Sequence, residues 1–238
     1  MNFFLEALSF IADGANWSGA NGLRQRLLAH LGYTLAAVTI AAVVALPLGV
    51  LMGHTRRGVN GVVAVSGALR ALPSLGLLTW LTLEFSFGVR IPVIPAIVTL
   101  VILAIPPMLA GTVTGVTAIP RGVVDSARAA GFSESDIVRQ VELPLAAPSI
   151  VGGIRSAAVQ VLATATIVAY IGLSGLGRYL IDGLALRDYP QMLVGALMVA
   201  LFGICCRRCL GAVPAIATPE YGHAELSLWL EVATRVGL

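Results

Sequence analysis

Apolar runs long enough to cross a bilayer alternate with short charged breaks along this chain. Residues 31–53 carry no charged side chain, and a helix of that length spans a hydrocarbon core of about 30 Å. Arg56 and Arg57 end the run. Residues 59–83 form a second run, interrupted by Arg70 and Pro73. Residues 91–118 form a third, with Pro92, Pro95, Pro106 and Pro107. Residues 146–173, containing Arg155, form a fourth, and residues 189–206 a fifth. Prolines at this density break soluble helices, but spanning helices tolerate them where neighbours satisfy the freed carbonyls. The pattern predicts an all-α integral membrane protein with about five transmembrane helices. A short helix over 176–186 would make six.

The runs divide the chain into three parts. Residues 1–30 read as an interfacial segment, with a stripe of Phe3, Phe4, Leu5, Leu8 and Ile11 and with Trp17 as a membrane-interface anchor. Residues 31–206 form the transmembrane domain. Residues 207–238 form a mixed tail containing Pro214, Pro219, Tyr221 and Trp229.

Composition agrees. The 238 residues are 58% hydrophobic and 11% charged, with a mean hydropathy of +0.91. So few charges cannot cover the surface of a soluble domain this size. All basic residues apart from histidine are Arg. A phosphate-binding loop of the form G-x-x-x-x-G-K-[ST] needs Lys, so if this protein uses ATP, another chain binds it. The arginines are scattered between apolar runs, which argues against nucleic acid as a partner. Cys206 and Cys209 have C-x-x-C spacing, but no second pair accompanies them, and reduced thiols at a membrane edge are the expectation. His30, His54 and His223 read as isolated, and no hydrolase or metal motif is present. No cofactor, metal or catalytic residue is expected on this chain.

Arginine counting sets the orientation. With residues 120–142 in the cytoplasm, that side holds Arg56, Arg57, Arg121, Arg128, Arg139, Arg207 and Arg208. The outer side holds Arg24, Arg26, Arg90, Arg178 and Arg187.

The 120–142 stretch reads as two short helices around a turn. Pro120 opens the first, and Gly131 can take the left-handed conformation that ends it. Ser133-Glu134-Ser135-Asp136 matches a capping box with Asp in the place of Glu. Leu143-Pro144 is expected to stop the second helix and turn the chain toward the membrane. Asp125-Ser126-Ala127, then Gly131, then Val141, then Leu143-Pro144 stand at fixed spacing. The series resembles the cytoplasmic motif of binding-protein-dependent ABC transporter permeases: E-A-A, three residues, G, nine residues, I, one residue, L-P. Asp replaces Glu, Ser replaces Ala and Val replaces Ile.

That resemblance implies a MetI-like permease fold, a multi-pass location in the bacterial cytoplasmic membrane and a coupling loop at 120–144. In that family the loop docks on a separate ABC ATPase, which carries ATP and Mg. The residues implied to couple are Asp125, Ser126, Ala127, Arg128, Gly131, Val141, Leu143 and Pro144. Implied partners are the ATPase, a second permease copy or a paralogous permease, and an extracytoplasmic substrate-binding protein. Arg70-Ala71-Leu72-Pro73-Ser74, the glycine-rich turn Ile171–Gly177 and His30-Leu31 also resemble the family. The combination looks most like the permeases for osmoprotectants: glycine betaine, carnitine, choline and proline. The likeness covers about residues 25 to 200 and is lost beyond Phe202. An importer of another solute, such as methionine, is the alternative. Rivals of other classes are an ion-coupled secondary transporter and an intramembrane hydrolase.

Arg70, Arg155, Gln160 and Thr164 are candidates for the solute pathway, because intramembrane polar groups face protein or water. The competing expectation for the arginines is snorkelling, or bonds to carbonyls freed by Pro47 and Pro73. Gly49/Gly53 and Gly111/Gly115 are G-x-x-x-G pairs suited to close helix packing.

Overall fold

A computed structural model describes residues 2–19 and 21–217, and no strand occurs among them. Helix α1 (Phe3–Ala12) and a 3₁₀ turn (Gly14–Trp17) precede α2 (Leu23–Thr55). Then come α3 (Val59–Ala71), α4 (Ser74–Glu84), α5 (Val93–Thr117) and α6 (Arg121–Ala129). Next, α7 (Glu134–Asp136) passes through a π-helical turn (Ile137–Glu142) into α8 (Leu143–Thr164) and a 3₁₀ stretch (Ala165–Ile171). Finally come α9 (Gly177–Leu186) and α10 (Tyr189–Ala217).

Among the described residues, four helical segments are long and apolar enough to cross a membrane: Leu23–Thr55, Val93–Thr117, Glu134–Ile171 and Tyr189–Leu210. The remaining apolar run is split into helices of 13 and 11 residues. The split falls where the sequence requires it. Pro73 has no N–H to donate and pushes the residue before it out of the helical region, and Leu72 is extended at φ −68°, ψ 129°. Together α3 and α4 make a broken fifth crossing. Helix α9 has ten residues, too short to span.

Small residues set the packing. Helix α5 lies between α2 and α8. Gly49 and Gly53 on α2 face Thr112 and Val116 of α5, and Gly111 and Gly115 on α5 face Gly153, Ser149 and Ala146 of α8. A Cβ on Gly111 would stand 2.7 Å from Gly153 Cα, so the backbones approach as closely as chemistry allows. Both glycine pairs are thus used inside the chain. The central core is fully buried at Ala41, Ala45, Leu78, Leu100, Ala104 and Met108. Leu35, Val43, Leu83 and Leu201 lie on the outside at 69%, 70%, 72% and 60% exposure. Only an apolar surrounding suits them.

Two boundaries differ from expectation. Helix α2 begins at Leu23 and not near residue 31, so the N-terminal segment runs directly into it. Ala7 and Leu23 are buried with Leu176, Tyr179, Val194 and Met198, and Trp17 packs against that cluster. Trp17 Nε1 donates to the Ile11 carbonyl at 2.7 Å, so this residue is partly committed to protein contacts. Helix α10 continues past residue 206 to Ala217. Residues 218–238, with most of the expected tail and His223, lie outside the described residues.

Charge gathers at both ends of the bundle. At one end Arg26 lies 3.6 Å from Asp182, which Arg178 contacts at 2.7 Å. The Arg26 guanidinium also sits 4.4 Å from the Tyr179 ring centroid. The other end carries α6, α7 and the turn between them.

Candidate functional site

Helix α6 is short and amphipathic. Val124 is buried with Ile119 and Ile137, and Ala127 packs against them. Asp125, Ser126 and Arg128 stay exposed. Pro120 stands at the N-cap, extended at ψ 137°. At the other end, Gly131 N–H donates to the Arg128 carbonyl at 3.0 Å, and Phe132 N–H donates to the Ala127 carbonyl at 3.2 Å. These two bonds form a Schellman motif, with Gly131 at φ +88° supplying the left-handed residue. Two residues later, Asp136 N–H donates to Ser133 Oγ and Ser133 N–H donates to Asp136 Oδ2, both at 3.3 Å. This is the capping box read from the sequence.

The second arm departs from expectation. Leu143-Pro144 does not stop the helix, which runs without a break from Glu134 to Ile171. Pro144 has no N–H for the Gln140 carbonyl, and its ring crowds that carbonyl. The chain answers by widening one turn: Leu143 N–H bonds to the Val138 carbonyl, a five-residue step. The motif's L-P therefore marks a bulge inside a continuous helix. The arm that begins at Glu134 is one piece with the membrane crossing α8.

Arg128 joins the two arms. Its Nε lies 2.6 Å from Glu134 Oε1, its Nη2 3.0 Å from Glu134 Oε2, and its Nη1 3.0 Å from Asp125 Oδ1. The bidentate fork fixes the angle between the arms. The Arg128 hydrogen bond holds the Glu134 carboxyl below the usual carboxylate range, and the two carboxylates push the Arg128 guanidinium up. Both groups are solvent-exposed, so the pairing sets geometry and adds little stability. Of the other motif residues, Val141 and Leu143 are half-buried at the base, and Pro144 is exposed.

Three contacts at the base were invisible in the sequence. Arg56 Nη2 donates to the Ile119 carbonyl at 2.7 Å, tying the end of α2 to the end of α5. His54 is not isolated. Its Nδ1 lies 2.8 Å from Glu142 Oε2, and its Nε2 lies 3.2 Å from Glu134 Oε2. Glu142 is only 3% exposed. An open cleft of about 330 Å³ lies beside these groups, with Arg56, Arg121 and Arg128 on its walls. His30 is not isolated either, since its Nε2 donates to the Leu162 carbonyl at 2.9 Å deep in the bundle.

Of the pathway candidates, only Gln160 and Thr164 touch one another among the described residues. Gln160 Nε2 donates to the Leu103 carbonyl of α5 at 3.3 Å. Thr164 Oγ1 donates to the Gln160 carbonyl at 2.8 Å, within its own helix. Arg155 is half-buried on α8 and makes no hydrogen bond or ion pair among the described residues. Arg70 lies in α3, but its side chain falls outside the described part. Among the described residues no group of three or more His, Cys, Asp or Glu side chains could hold a metal.

Known proteins match over most of the chain. Residues 45–213 match the family described as binding-protein-dependent transport system inner membrane component. The choline transport system permease protein OpuBB of Bacillus subtilis is 32% identical over 190 residues, covering 80% of this chain and 86% of that protein. The carnitine transport permease protein OpuCB of Listeria monocytogenes is 33% identical over 191 residues, covering 80% and 86%. The osmoprotectant import permease protein OsmW of Salmonella typhimurium is 30% identical over 217 residues, covering 91% and 99%. Among solved structures, an inward-facing MetNI methionine ABC transporter chain superposes with a TM-score of 0.72 at 22% identity. It covers 83% of this chain and 96% of its own. That likeness concerns the fold.

Proposed function

Because the chain belongs to the family of binding-protein-dependent inner membrane transport components, we propose that it is the permease of an ABC importer for osmoprotectants. The solute class is small zwitterions and quaternary ammonium compounds: glycine betaine, carnitine, choline and L-proline. Relatives about a third identical over four-fifths of the chain carry names of that class, which supports the solute reading. The observation that carries the mechanism is the capped, ion-paired hairpin around Gly131, continuous with the membrane crossing α8.

In this reading the hairpin lies in the cytoplasm and docks on an ABC ATPase. Asp125, Ser126, Ala127, Arg128 and Gly131 present the docking tip, while Val141, Leu143 and Pro144 join it to the membrane. ATP and Mg are held by the ATPase, and this chain holds neither. Closure of two ATPase subunits pushes the tips of two permeases, either two copies or a paralogous pair. Because the second arm and α8 are one helix, a push on the tip tilts α8. The pathway then opens outward to an extracytoplasmic binding protein, and hydrolysis resets it. Selection of a quaternary ammonium rests chiefly with the binding protein, where an aromatic cage suits it. Arg155 faces the pathway or the second permease, since an unpaired guanidinium at that depth needs a polar neighbour.

The test is uptake of radiolabelled glycine betaine into vesicles bearing the reconstituted complex under osmotic stress. Uptake should need ATP, the ATPase and the binding protein together. Uptake by this chain alone, driven by an ion gradient, would overturn the reading.

A further inference from the structure

The hairpin's covalent neighbours are α5 on one side and α8 on the other. Helix α2 lies far away in sequence, yet its last turn brings His54 between Glu134 and Glu142, at 3.2 and 2.8 Å. The carboxylates differ in setting. Glu142 is buried at the base of the hairpin, within the π-helical turn; Glu134 is half exposed and also carries the Arg128 fork. A chain of contacts thus runs Asp125–Arg128–Glu134–His54–Glu142, from the exposed tip to the end of α2. We propose that His54 is a positioning residue that delivers the movement of the coupling hairpin to α2. This rests on the permease reading above.

The physical case has three steps. The Glu134 contact is at the surface, and exposed ion pairs contribute little to stability, so its consequence is geometric. The imidazole is rigid and offers two nitrogens, so a ring held at both pins the end of α2 to two points on the second arm of the hairpin. Finally, α2 is one helix of 33 residues, running from the hairpin to the opposite charged end of the bundle. A displacement at Thr55 is therefore carried into a helix about 50 Å long, with Pro47 eight residues before its end. Without His54, the hairpin would move α8 directly and α2 only through its packing on α5 and α8 and through the Arg56–Ile119 and His30–Leu162 bonds. The two crossings would then lose their common timing.

The experiment uses the whole reconstituted complex and measures ATP hydrolysed per radiolabelled glycine betaine taken up. His54→Ala should leave the ATPase co-purifying and hydrolysing while that ratio rises about threefold or more, within the range of single-residue coupling effects. A merely structural role would lower hydrolysis and uptake together and leave the ratio unchanged, which would overturn the proposal. Two amides separate the contacts. The side-chain nitrogen of Gln falls near Nε2, and that of Asn near Nδ1. His54→Gln, which keeps a donor toward Glu134, should restore the ratio to near normal; His54→Asn should not. If the Ala variant does not assemble, this pair decides alone, and equal ratios for Gln and Asn would overturn the proposal. A wild-type complex that neither binds an ATPase nor takes up solute would instead sink the permease reading.

Discussion

Gln160 on α8 donates its side-chain N–H to the Leu103 carbonyl of α5, at 3.3 Å across the helix interface. Leu103 stands four residues before Pro107, and a proline has no N–H to offer the carbonyl one turn behind it. The bond fills a vacancy that α5 makes for itself. Gln160→Leu keeps the volume but leaves that carbonyl without a partner in an apolar setting. The expected cost is about 1 kcal/mol. For a chain of this size that lowers the melting temperature in detergent by about 2–4 °C, with solute affinity unchanged. An unaltered melting temperature with weakened solute binding would place Gln160 in the pathway.

Neighbouring glycines on α8 should behave oppositely. Gly153 faces the α5 backbone, where an added Cβ would stand 2.9 Å from the Pro107 carbonyl oxygen; Gly152 has open space. Gly153→Ala must push α5 and α8 apart and should cost about 1–3 kcal/mol. Gly152→Ala should stabilise by about 0.5–1 kcal/mol through helix propensity. Thermal unfolding of the two variants side by side checks this. Equal effects would show that the crossing is looser than the Gly111–Gly153 approach implies.

The crossings and the hairpin were legible in the sequence because each depends on local pattern. Apolar runs mark the spans, and Gly131, Ser133 and Asp136 announce caps whose partners lie within six residues. What escaped depends on contacts between distant segments. His54 meets Glu142 across 88 residues, Gln160 meets Leu103 across 57, and His30 meets Leu162 across 132. No local spacing encodes such pairs, so two histidines looked isolated. Pro144 misled for another reason. A proline usually ends a helix, but a single π-helical turn absorbs it, and local sequence does not separate the two outcomes.

Gly131 gives a prediction free of steric complication. Its φ is +88°, and an added Cβ would meet nothing within 4 Å. Gly131→Ala therefore carries only the left-handed backbone penalty of about 1–2 kcal/mol. That penalty acts on the docked shape of the hairpin, because the Arg128–Glu134 fork needs the bend. Affinity for the ATPase, measured with the detergent-solubilised permease, should fall by about fivefold to thirtyfold, the equivalent of that energy. Gly122→Ala is the control: it lies in α6, also in open space but without a positive φ, and should leave affinity intact. If both variants bind the ATPase normally, the hairpin is not the docking element.

Arg155 lies on α8 twelve residues beyond Leu143, a rise of about 18 Å. That places it well inside the hydrocarbon layer. It is half-buried and has no partner among the described residues. Nor does it bond a carbonyl freed by a proline, one of the two competing expectations, the other being snorkelling. A guanidinium at such depth costs about 2.5–3.5 kcal/mol against lipid, so the assembled transporter must offer it water or a polar surface. Arg155→Gln should therefore keep the ATPase bound and lower uptake about tenfold, the equivalent of about 1.4 kcal/mol. Arg155→Lys keeps the charge but not the planar fork, and should fall between the two. Full uptake by Arg155→Gln would show that the charge merely snorkels, and would remove Arg155 from the pathway.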